Sequence, residues 1–308
     1  MNDPYLLHIF SPTKNVSPFD INMAYEARYD AVIPYSNVTL EEVQGLTQDV
    51  IYSRAPKSVN KTGIFIGGRD LSLALDMFDA ARRAMVPPFL ISAFVDPSGA
   101  ITTAAAIVAC IERHAGSLPD RRAYILGVGP VGISCAILLA RAGAEVSLVS
   151  HLGRESAVEV AAQYNLRFGL NIQGVGSGDD EAVRGWLGQA EILVGASKAG
   201  ICVMPERLLR EARDLLVVAD ANAVPPAGIA GVELHDAGRP LAATPHGAVA
   251  VGPLAVGAVK YKVHRQMLET MFVSSHPVYL AFNYAFKTAR AIVAAEIAAE
   301  IEDTEEKD

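Results

Sequence analysis

Cysteine is scarce in this chain of 308 residues, which contains only Cys110, Cys135 and Cys202. Three is an odd number, the thiols lie far apart in the sequence, and each has apolar neighbours. This pattern argues against a disulfide framework and against a zinc site, both of which need cysteines in closer groups. Histidines and carboxylates also form no close cluster of ligands in the sequence. We therefore expect no metal, and we expect a reducing, cytoplasmic location.

Excess positive charge and long apolar runs are lacking too. The formal net charge is −8 and no basic block is present, which disfavours a nucleic-acid partner. Charged or helix-breaking residues interrupt each apolar segment well before the roughly 20 residues that a membrane span requires. The first residues, Met1-Asn2-Asp3-Pro4, lack a basic stretch followed by an apolar one. We expect neither a signal peptide nor a membrane partner.

Hydrophobic residues make up 51% of the chain and charged residues 19%, a composition typical of globular domains with substantial cores. Short apolar strands alternate with helical patterns, and this alternation predicts an α/β fold with largely parallel sheets. Helices are expected after the caps Ser17 and Asp70, the second over residues 71–85, and a long one from His276-Pro277 through Ala299. The principal expected strands are 6–10, 31–34, 63–66, 90–95, 192–194 and 215–219.

The chain is long enough for two domains. We expect residues 1–106 together with 268–308 to form a substrate domain, because the C-terminal helix should pack back onto the N-terminal half. Residues 107–267 should form a Rossmann-type nucleotide domain. The active site is then expected in a cleft beyond the carboxyl ends of the strands, where open α/β sheets bind their ligands.

A glycine-rich motif, Gly-Val-Gly-Pro-Val-Gly, occupies residues 127–132. An apolar strand precedes it, a helical pattern follows, and a second strand ends at Ser150. This order is the context in which the motif predicts a dinucleotide site. The first glycine permits a tight turn, the second lets the backbone approach a pyrophosphate, and the third permits close helix packing. The expected contacts are Gly127, Gly129, Pro130, Val131 and Gly132. The alternative is a glycine-rich turn that binds nothing.

The residues after the second strand bear on the choice of dinucleotide. NAD-selective sites usually place a carboxylate there for the ribose 2′-hydroxyl. This chain has Ser150 and His151 instead, with Arg154 close behind. Ser150 can donate a hydrogen bond and Arg154 can supply positive charge. Alternatively, Arg154 is a solvated residue that pairs with Glu155. NADP should be tolerated, and NAD remains open.

Several unusual strings resemble one enzyme family over nearly the whole chain. They resemble the methylene-tetrahydromethanopterin dehydrogenases of methylotrophic bacteria, in particular the NAD(P)-dependent branch. The strings are LTQD at 46–49 with SRAP at 53–56, TGIFIGG at 62–68, DANAVPPAGIAG at 220–231, and LAVG at 254–257 leading to Lys260-Tyr261.

The resemblance implies oxidation of methylene-tetrahydromethanopterin to the methenyl form during formaldehyde oxidation, with NAD or NADP as the hydride acceptor. We also expect a homo-oligomer. The strictly NADP-dependent branch carries Arg and Lys directly after its second nucleotide strand. This chain has Ser150-His151 there, which is closer to the branch that accepts both cofactors, although Arg154 blurs that distinction.

Residue roles follow from the same resemblance. Asp20 is the candidate that stabilises the developing cation or anchors the pterin; otherwise it is a first-turn carboxylate worth about 0.3–1 kcal/mol to its helix. Lys260 is the candidate anchor for a substrate carbonyl or carboxylate; otherwise it extends along the helix surface to solvent. Arg54 and Lys57 are expected to meet the acidic substrate tail, unless their loop is simply solvated.

Two further groups complete the expected site. Asp96 is expected to bind substrate or to orient the loop at Thr102, where a helix N-terminus meets a ligand. Asp220 and Asn222 are expected to shape the nicotinamide pocket together with Ala196 and Ser197; a purely structural turn is the alternative.

Two other functions stay open. One is a different two-domain dehydrogenase of small molecules, of the shikimate or methylene-tetrahydrofolate type. The other is a non-catalytic protein that senses nucleotides.

Overall fold

The computed structural model describes residues 3–305 and contains two compact α/β units. The first unit comprises the described residues through Thr102 together with Tyr261–Thr288. The second comprises Thr103–Lys260 and the described residues from Ala289 onward. Parallel sheets flanked by helices confirm the predicted α/β class.

Twelve strands and ten α-helices alternate through the described residues. The strands are β1 (Leu6–Phe10), β2 (Ala31–Tyr35), β3 (Thr62–Ile66), β4 (Ser92–Val95), β5 (Arg122–Leu126), β6 (Glu145–Ser150), β7 (Gln173–Gly176), β8 (Ile192–Gly195), β9 (Val217–Asp220), β10 (Ala237–Pro240), β11 (Val249–Val251) and β12 (Tyr279–Leu280). The helices are α1 (Pro18–Glu26), α2 (Glu42–Tyr52), α3 (Leu71–Ala84), α4 (Ala100–Ala115), α5 (Pro130–Arg141), α6 (Arg154–Phe168), α7 (Asp180–Leu187), α8 (Glu206–Leu209), α9 (Pro253–Val273) and α10 (Phe282–Glu305).

The first unit is built on a five-stranded parallel sheet in the order β12-β4-β3-β1-β2. Strands β3 and β4 are buried along their whole length, as expected of parallel strands covered on both faces. The chain runs from β1 to β2 on one side and then returns to β3 on the other side of β1. A ligand crevice is expected where the strand order reverses, at the carboxyl ends of β1 and β3.

The second unit contains a seven-stranded sheet in the order β10-β11-β9-β8-β5-β6-β7. All its neighbours are parallel except β10, which pairs with β11 in antiparallel fashion. This is the doubly wound order of a nucleotide-binding sheet, and it reverses between β5 and β8. The loops after those two strands should therefore face the ligand.

The predicted elements shift at several ends. The cap Ser17 is confirmed, because its Oγ accepts a hydrogen bond from the Asp20 amide at 3.4 Å. The C-terminal helix begins at Phe282 rather than at His276-Pro277 as expected. Residues Tyr279–Leu280, which the sequence predicted to be helical, instead form β12 and pair with β4.

The boundaries of the two units also differ from the expected 106/107 and 267/268. The observed divisions fall after Thr102, Lys260 and Thr288, within helices α4, α9 and α10. From Ala289 onward α10 belongs to the second unit, where Arg290 binds Glu112 through two hydrogen bonds of 2.6 and 2.8 Å. Assignment of substrate and nucleotide binding to particular segments stays a prediction.

Among residues 3–305, no helix is both long enough and apolar enough to traverse a bilayer. Within the same residues, no three His, Cys, Asp or Glu side chains are grouped as they would be around a metal ion.

Candidate functional site

The loop after β5 is shaped by contacts that only glycine permits. Gly127 has φ +130°, and a Cβ there would lie 2.5 Å from the carbonyl oxygen of Ala196, directly after β8. A Cβ on Gly132 would lie 2.2 Å from the Gly127 carbonyl oxygen. The third glycine therefore lets α5 pack closely on the loop, which is the role that the motif gave it, and the first glycine brings the loop against the end of β8.

The middle glycine is different, because open space lies where its Cβ would be. Gly129 caps α5, Pro130 is the first residue of that helix, and Val131 is partly exposed beside it. Backbone N–H groups at a helix N-terminus attract anions. A dinucleotide pyrophosphate has room beside Gly129, whereas the two outer glycines allow close contacts between parts of the protein backbone. The residues present thus suit the expected cofactor.

Ser150 ends β6, and its side chain is buried. Its Oγ accepts a hydrogen bond from the Leu152 amide at 3.2 Å and lies 3.5 Å from the Ser156 hydroxyl. His151 is exposed in the turn that follows, and Arg154 is exposed as the first residue of α6. Across the described residues no ion pair joins Arg154 to Glu155, so the expected alternative pairing is not formed. A direct ribose contact by Ser150, His151 or Arg154 stays a prediction.

Asp220 organises the loop after β9. Its Oδ1 accepts from the Asn222 amide at 3.0 Å and its Oδ2 from the Ile229 amide at 2.9 Å. A Cβ on Gly195 would lie 2.8 Å from Oδ1, so that glycine leaves room for the carboxylate. Burial raises the pKa of Asp220, and the backbone N–H donors, including that of Gly228, oppose this shift.

Asn222 continues the same network. Its side-chain Nδ2 donates to the Pro226 carbonyl oxygen at 3.0 Å, and its Oδ1 accepts from the Val224 backbone amide at 3.0 Å. Both polar side chains are therefore occupied with the loop itself. Contact with nicotinamide stays a prediction. Asp220 and Asn222 would contribute to it by fixing the conformation of the loop rather than by touching the ring with the carboxylate.

In the first unit, Asp20 lies at the point where the strand order reverses. It is in the first turn of α1, only 4% exposed. Its Oδ2 lies 3.6 Å from the position that a Cβ on Gly67 would occupy, just after β3. The start of α1 and the carboxyl end of β3 therefore converge on this carboxylate, which is where an open α/β sheet binds its ligand.

Asp96 and Thr102 are brought together as expected, but in the interior. The Thr102 hydroxyl donates to Asp96 Oδ2 at 2.6 Å, and the Ile101 and Thr102 amides donate to Oδ1 at 2.8 and 3.2 Å. Both side chains are fully buried. Asp96 thereby caps the start of α4, which matches the expected orienting role, whereas direct substrate contact stays a prediction.

His264 is a member of this cluster that the sequence did not reveal. Its Nδ1 lies 3.0 Å from Asp96 Oδ2, and its ring makes an edge contact with Phe19, the neighbour of Asp20, at a centroid distance of 5.4 Å. His264 and Asp96 are 168 positions apart in the chain. One local signal existed: His264 is a polar residue within an apolar helical pattern, one turn after Lys260.

Arg54 and Lys57 are not brought to Asp20. They precede β3, whereas Asp20 follows β1, and parallel strands put these two loops at opposite edges of the sheet. The Arg54 guanidinium donates to the Pro4 carbonyl oxygen at 2.9 Å, and Lys57 is exposed. A five-residue strand separates the two edges by roughly 16 Å. The expected contact of Arg54 and Lys57 with the substrate tail stays a prediction.

Lys260 lies in α9 and is partly buried. It belongs to the second unit and Asp20 to the first. The expected roles of Asp20 and Lys260 in one active site therefore stay a prediction.

Comparison with known proteins gives concordant results. Residues 18–98 match the family described as "Methylene-tetrahydromethanopterin dehydrogenase, N-terminal". An NAD(P)-dependent methylenetetrahydromethanopterin dehydrogenase of Methylorubrum extorquens is 42% identical over 291 residues, covering 92% of this chain and 97% of that protein. The bifunctional protein MdtA of the same organism is 35% identical, covering 89% and 94%.

Solved structures agree with the fold. A shikimate 5-dehydrogenase of Listeria monocytogenes, solved with shikimate and NAD, superposes with a TM-score of 0.53 at 13% identity, covering 92% of this chain and 96% of that one. An NAD-dependent malic enzyme of Thermotoga maritima gives 0.56 at 13% identity, covering 93% and 84%. Such low identity supports the fold alone.

Proposed function

This chain belongs to the family of methylene-tetrahydromethanopterin dehydrogenases, and we propose that it transfers a hydride from methylene-tetrahydromethanopterin to NAD(P)+. The product is methenyl-tetrahydromethanopterin, in a sequence of reactions that oxidises formaldehyde. The observation that carries this proposal is 42% identity over 92% of the chain to a relative named for that activity. Assembly into a homo-oligomer remains a further prediction.

The reaction places few demands on acid–base groups. The methylene carbon lies between two nitrogens, so loss of hydride leaves a cation delocalised over both. No proton leaves that carbon, and no general base is obligatory. Bound NAD(P)+ supplies the hydride acceptor, so the protein has to align two rings and provide compatible charge.

The second unit offers the groups that hold the dinucleotide. The amino end of α5 and the open space at Gly129 suit the pyrophosphate. The loop that Asp220 fixes after β9 supports the binding of nicotinamide near Ala196 and Ser197. Since the turn at Ser150 carries no carboxylate, a 2′-phosphate meets no opposing charge there, and we propose that both NAD and NADP serve.

The first unit offers Asp20 for the pterin. A negative charge close to the reacting ring favours the transition state over the ground state, in which that ring is uncharged, because positive charge develops there only as hydride departs. Its buried position makes that interaction stronger than in water. The neighbouring cluster of Asp96, Thr102 and His264 holds this edge of the sheet in place.

Reduction of the nicotinamide ring provides the test. NAD+ and NADP+ are each mixed with methylene-tetrahydromethanopterin, methylene-tetrahydrofolate or shikimate, and the absorbance of reduced nicotinamide is followed. We expect reduction with the methanopterin substrate. Reduction with shikimate but not with either pterin would assign the chain to another dehydrogenase class, and binding without any reduction would identify a nucleotide sensor.

A further inference from the structure

The sheet of the second unit carries polar side chains at the edge opposite the glycine loop. Tyr124 of β5, Ser147 of β6 and Gln173 of β7 are aligned neighbours, so their side chains share one face. Arg122 and Glu145 form the next aligned pair on that face, towards the amino ends of the strands. Parallel strands that are covered on both faces are normally apolar throughout. This polar group on three strands breaks that rule, as functional sites do.

Further along the strands the same face is apolar. Leu126, Val149 and Val175 pack in a core with residues of α7 such as Trp186. The polar residues instead line an open cavity at the amino ends of β5, β6 and β7, which we call the amino-edge cavity. Its empty space, including the open mouth, is about 1020 Å³, and the turns that precede β6 and β7 also line it.

Polar groups of the amino-edge cavity have hydrogen-bonding capacity left over. The Tyr124 ring stacks on Trp186 with centroids 4.8 Å apart, and its hydroxyl accepts from Gln189 Nε2 at 3.2 Å. Among residues 3–305 the Tyr124 hydroxyl makes no other hydrogen bond, the Ser147 hydroxyl makes none, and Glu145 forms no ion pair. The wall therefore offers two hydroxyl protons and one carboxylate to a ligand.

Charge and hydrogen-bonding capacity decide which ligand fits. Arg122 donates to Glu191 at 3.3 Å and to Asp214 at 3.1 Å, so its positive charge is already matched. The Glu145 carboxylate would repel an anionic ligand such as a phosphate or a carboxylic acid. An ammonium group only donates, so it could not accept from the Tyr124 hydroxyl, and an apolar ligand would leave both hydroxyl groups unpaired. An alcohol group both donates and accepts, which matches this mixture.

We propose that the amino-edge cavity binds a neutral polyol, a sugar alcohol or a sugar, as a ligand separate from dinucleotide and pterin. The Glu145 carboxylate accepts from hydroxyl groups of the ligand, and the hydroxyls of Tyr124 and Ser147 donate to them. Gln173 adds its Oε1 as an acceptor, while its Nε2 donates to Asn171 at 2.9 Å. The cavity opens at the amino end of β5 and the glycine loop follows the carboxyl end, so the two sites lie on opposite edges of the sheet.

Sorbitol and gluconate are matched probes, because they share a carbon chain and differ by the carboxylate of gluconate. Each is titrated into the isotope-labelled full chain without nucleotide or pterin, and binding is followed through backbone amide resonances. We expect sorbitol to cause saturable shifts at Ser147 and Gln173. Gluconate should bind at least about 10-fold more weakly, because its charge faces the Glu145 carboxylate.

Glu145→Gln tests the charge. It should weaken sorbitol binding at least about 10-fold, the loss of a hydrogen bond to a charged acceptor. It should also abolish the preference for sorbitol over gluconate, which a merely structural change would not do. Glu159→Gln is the control, because it removes an exposed carboxylate of α6 that does not line the cavity. That control should bind sorbitol as the native protein does.

Ser147→Ala is the second variant, in case Glu145→Gln does not fold, and melting temperatures establish which variants are folded. Loss of one hydroxyl should weaken sorbitol binding about 2- to 10-fold and keep the preference over gluconate. An absence of saturable shifts, shifts centred on Gly127 and Gly129, or native sorbitol affinity in the folded cavity variants would overturn the proposal, as would an equal loss in Glu159→Gln. Because the titration contains neither nucleotide nor pterin, its outcome is independent of the proposed function.

Discussion

His264 Nδ1 and Asp96 Oδ2 meet at 3.0 Å in the interior of the first unit, and neither side chain has any exposed surface. Asp96 also accepts from the Thr102 hydroxyl and from two backbone amides at the start of α4. A single buried carboxylate thereby joins β4, α4 and α9 beside the proposed pterin edge.

Removing that carboxylate's charge should destabilise the first unit. Asp96→Asn leaves His264 and the amides of α4 with a poorer acceptor, and we expect the free energy of unfolding to fall by about 1–3 kcal/mol, the range for leaving a buried polar group without its partner. Urea denaturation measures the change. Asp70→Asn is the matched control, because Asn also caps helices well and Asp70 caps α3 in the same unit. Equal stability of the two variants would mean that the buried cluster contributes little.

The glycine loop offers a prediction with a built-in contrast. Gly129→Val places a side chain in open space, so the protein should fold while its affinity for NAD(P) falls at least about 100-fold, the loss of a strong phosphate interaction. Gly132→Val instead forces a Cβ to within 2.2 Å of the Gly127 carbonyl oxygen and should lower the melting temperature. Nucleotide titration and thermal melts separate the two effects. Native affinity in Gly129→Val would contradict the assigned phosphate position.

Charge at the end of β6 should set cofactor preference. Ser150→Asp puts a carboxylate beside the expected ribose position, which should reduce kcat/KM for NADP at least about 10-fold relative to NAD, as one unfavourable charge contact implies. Ser150→Asn has the same shape without the charge and can still accept from the Leu152 amide. Both variants are compared at one salt concentration. An unchanged NADP to NAD ratio in Ser150→Asp would place the ribose elsewhere.

Asp20 is expected to act on the rate of hydride transfer. Asp20→Asn keeps the shape and removes the charge, so single-turnover transfer should slow by about 10- to 100-fold while NAD(P) affinity is unchanged. If Asp20 served only its helix, the melting temperature would drop slightly and the transfer rate would persist. Glu42→Gln, which removes a first-turn carboxylate from α2 in the same unit, is the control for general charge effects.

The first unit should also lose stability in mild acid. Burial, and secondarily the positive charge of Arg54, lowers the pKa of His8 from 6.5 to about 4. The unfolded chain therefore binds this proton more readily, so the His8 contribution is complete above about pH 6.5 and is lost as the pH falls towards 4. The shift alone corresponds to roughly 3 kcal/mol. Since His8 is only half-buried, we expect about 1–2 kcal/mol.

Urea denaturation between pH 7 and pH 4 measures that loss. His8→Asn should flatten the pH dependence in this window, because Asn does not titrate. Arg54→Met should raise the pKa of His8, followed by nuclear magnetic resonance of its ring protons. A His8 pKa near 6.5 in the native protein would remove the basis for both expectations.

Local sequence was sufficient where one short segment determines the structure. The glycine motif predicted the turn after β5 because Gly132 must pack against Gly127 within the same short segment. Gly127 instead meets Ala196 after β8, and Gly129 faces open space. Ser17 likewise predicted the start of α1 through a bond three residues away.

Long-range pairing explains what local patterns missed. The place of His264 in the buried cluster depends on Asp96, 168 positions away. Residues 279–280 fit a helical pattern but pair with β4 as a strand. The chemistry of the loop at Arg54 suggested a substrate contact, yet only the topology reveals that this loop lies at the amino edge of the sheet.

Deuterium transfer tests the central proposal most directly. Methylene-tetrahydromethanopterin carrying deuterium on its methylene bridge is incubated with the protein and with NAD+ or NADP+, and the reduced nucleotide is analysed by mass spectrometry. The proposed function predicts deuterium on the nicotinamide ring and none in a parallel reaction with Gly129→Val. Reduced nucleotide without deuterium, or no reduction with either nucleotide, would contradict hydride transfer from this substrate.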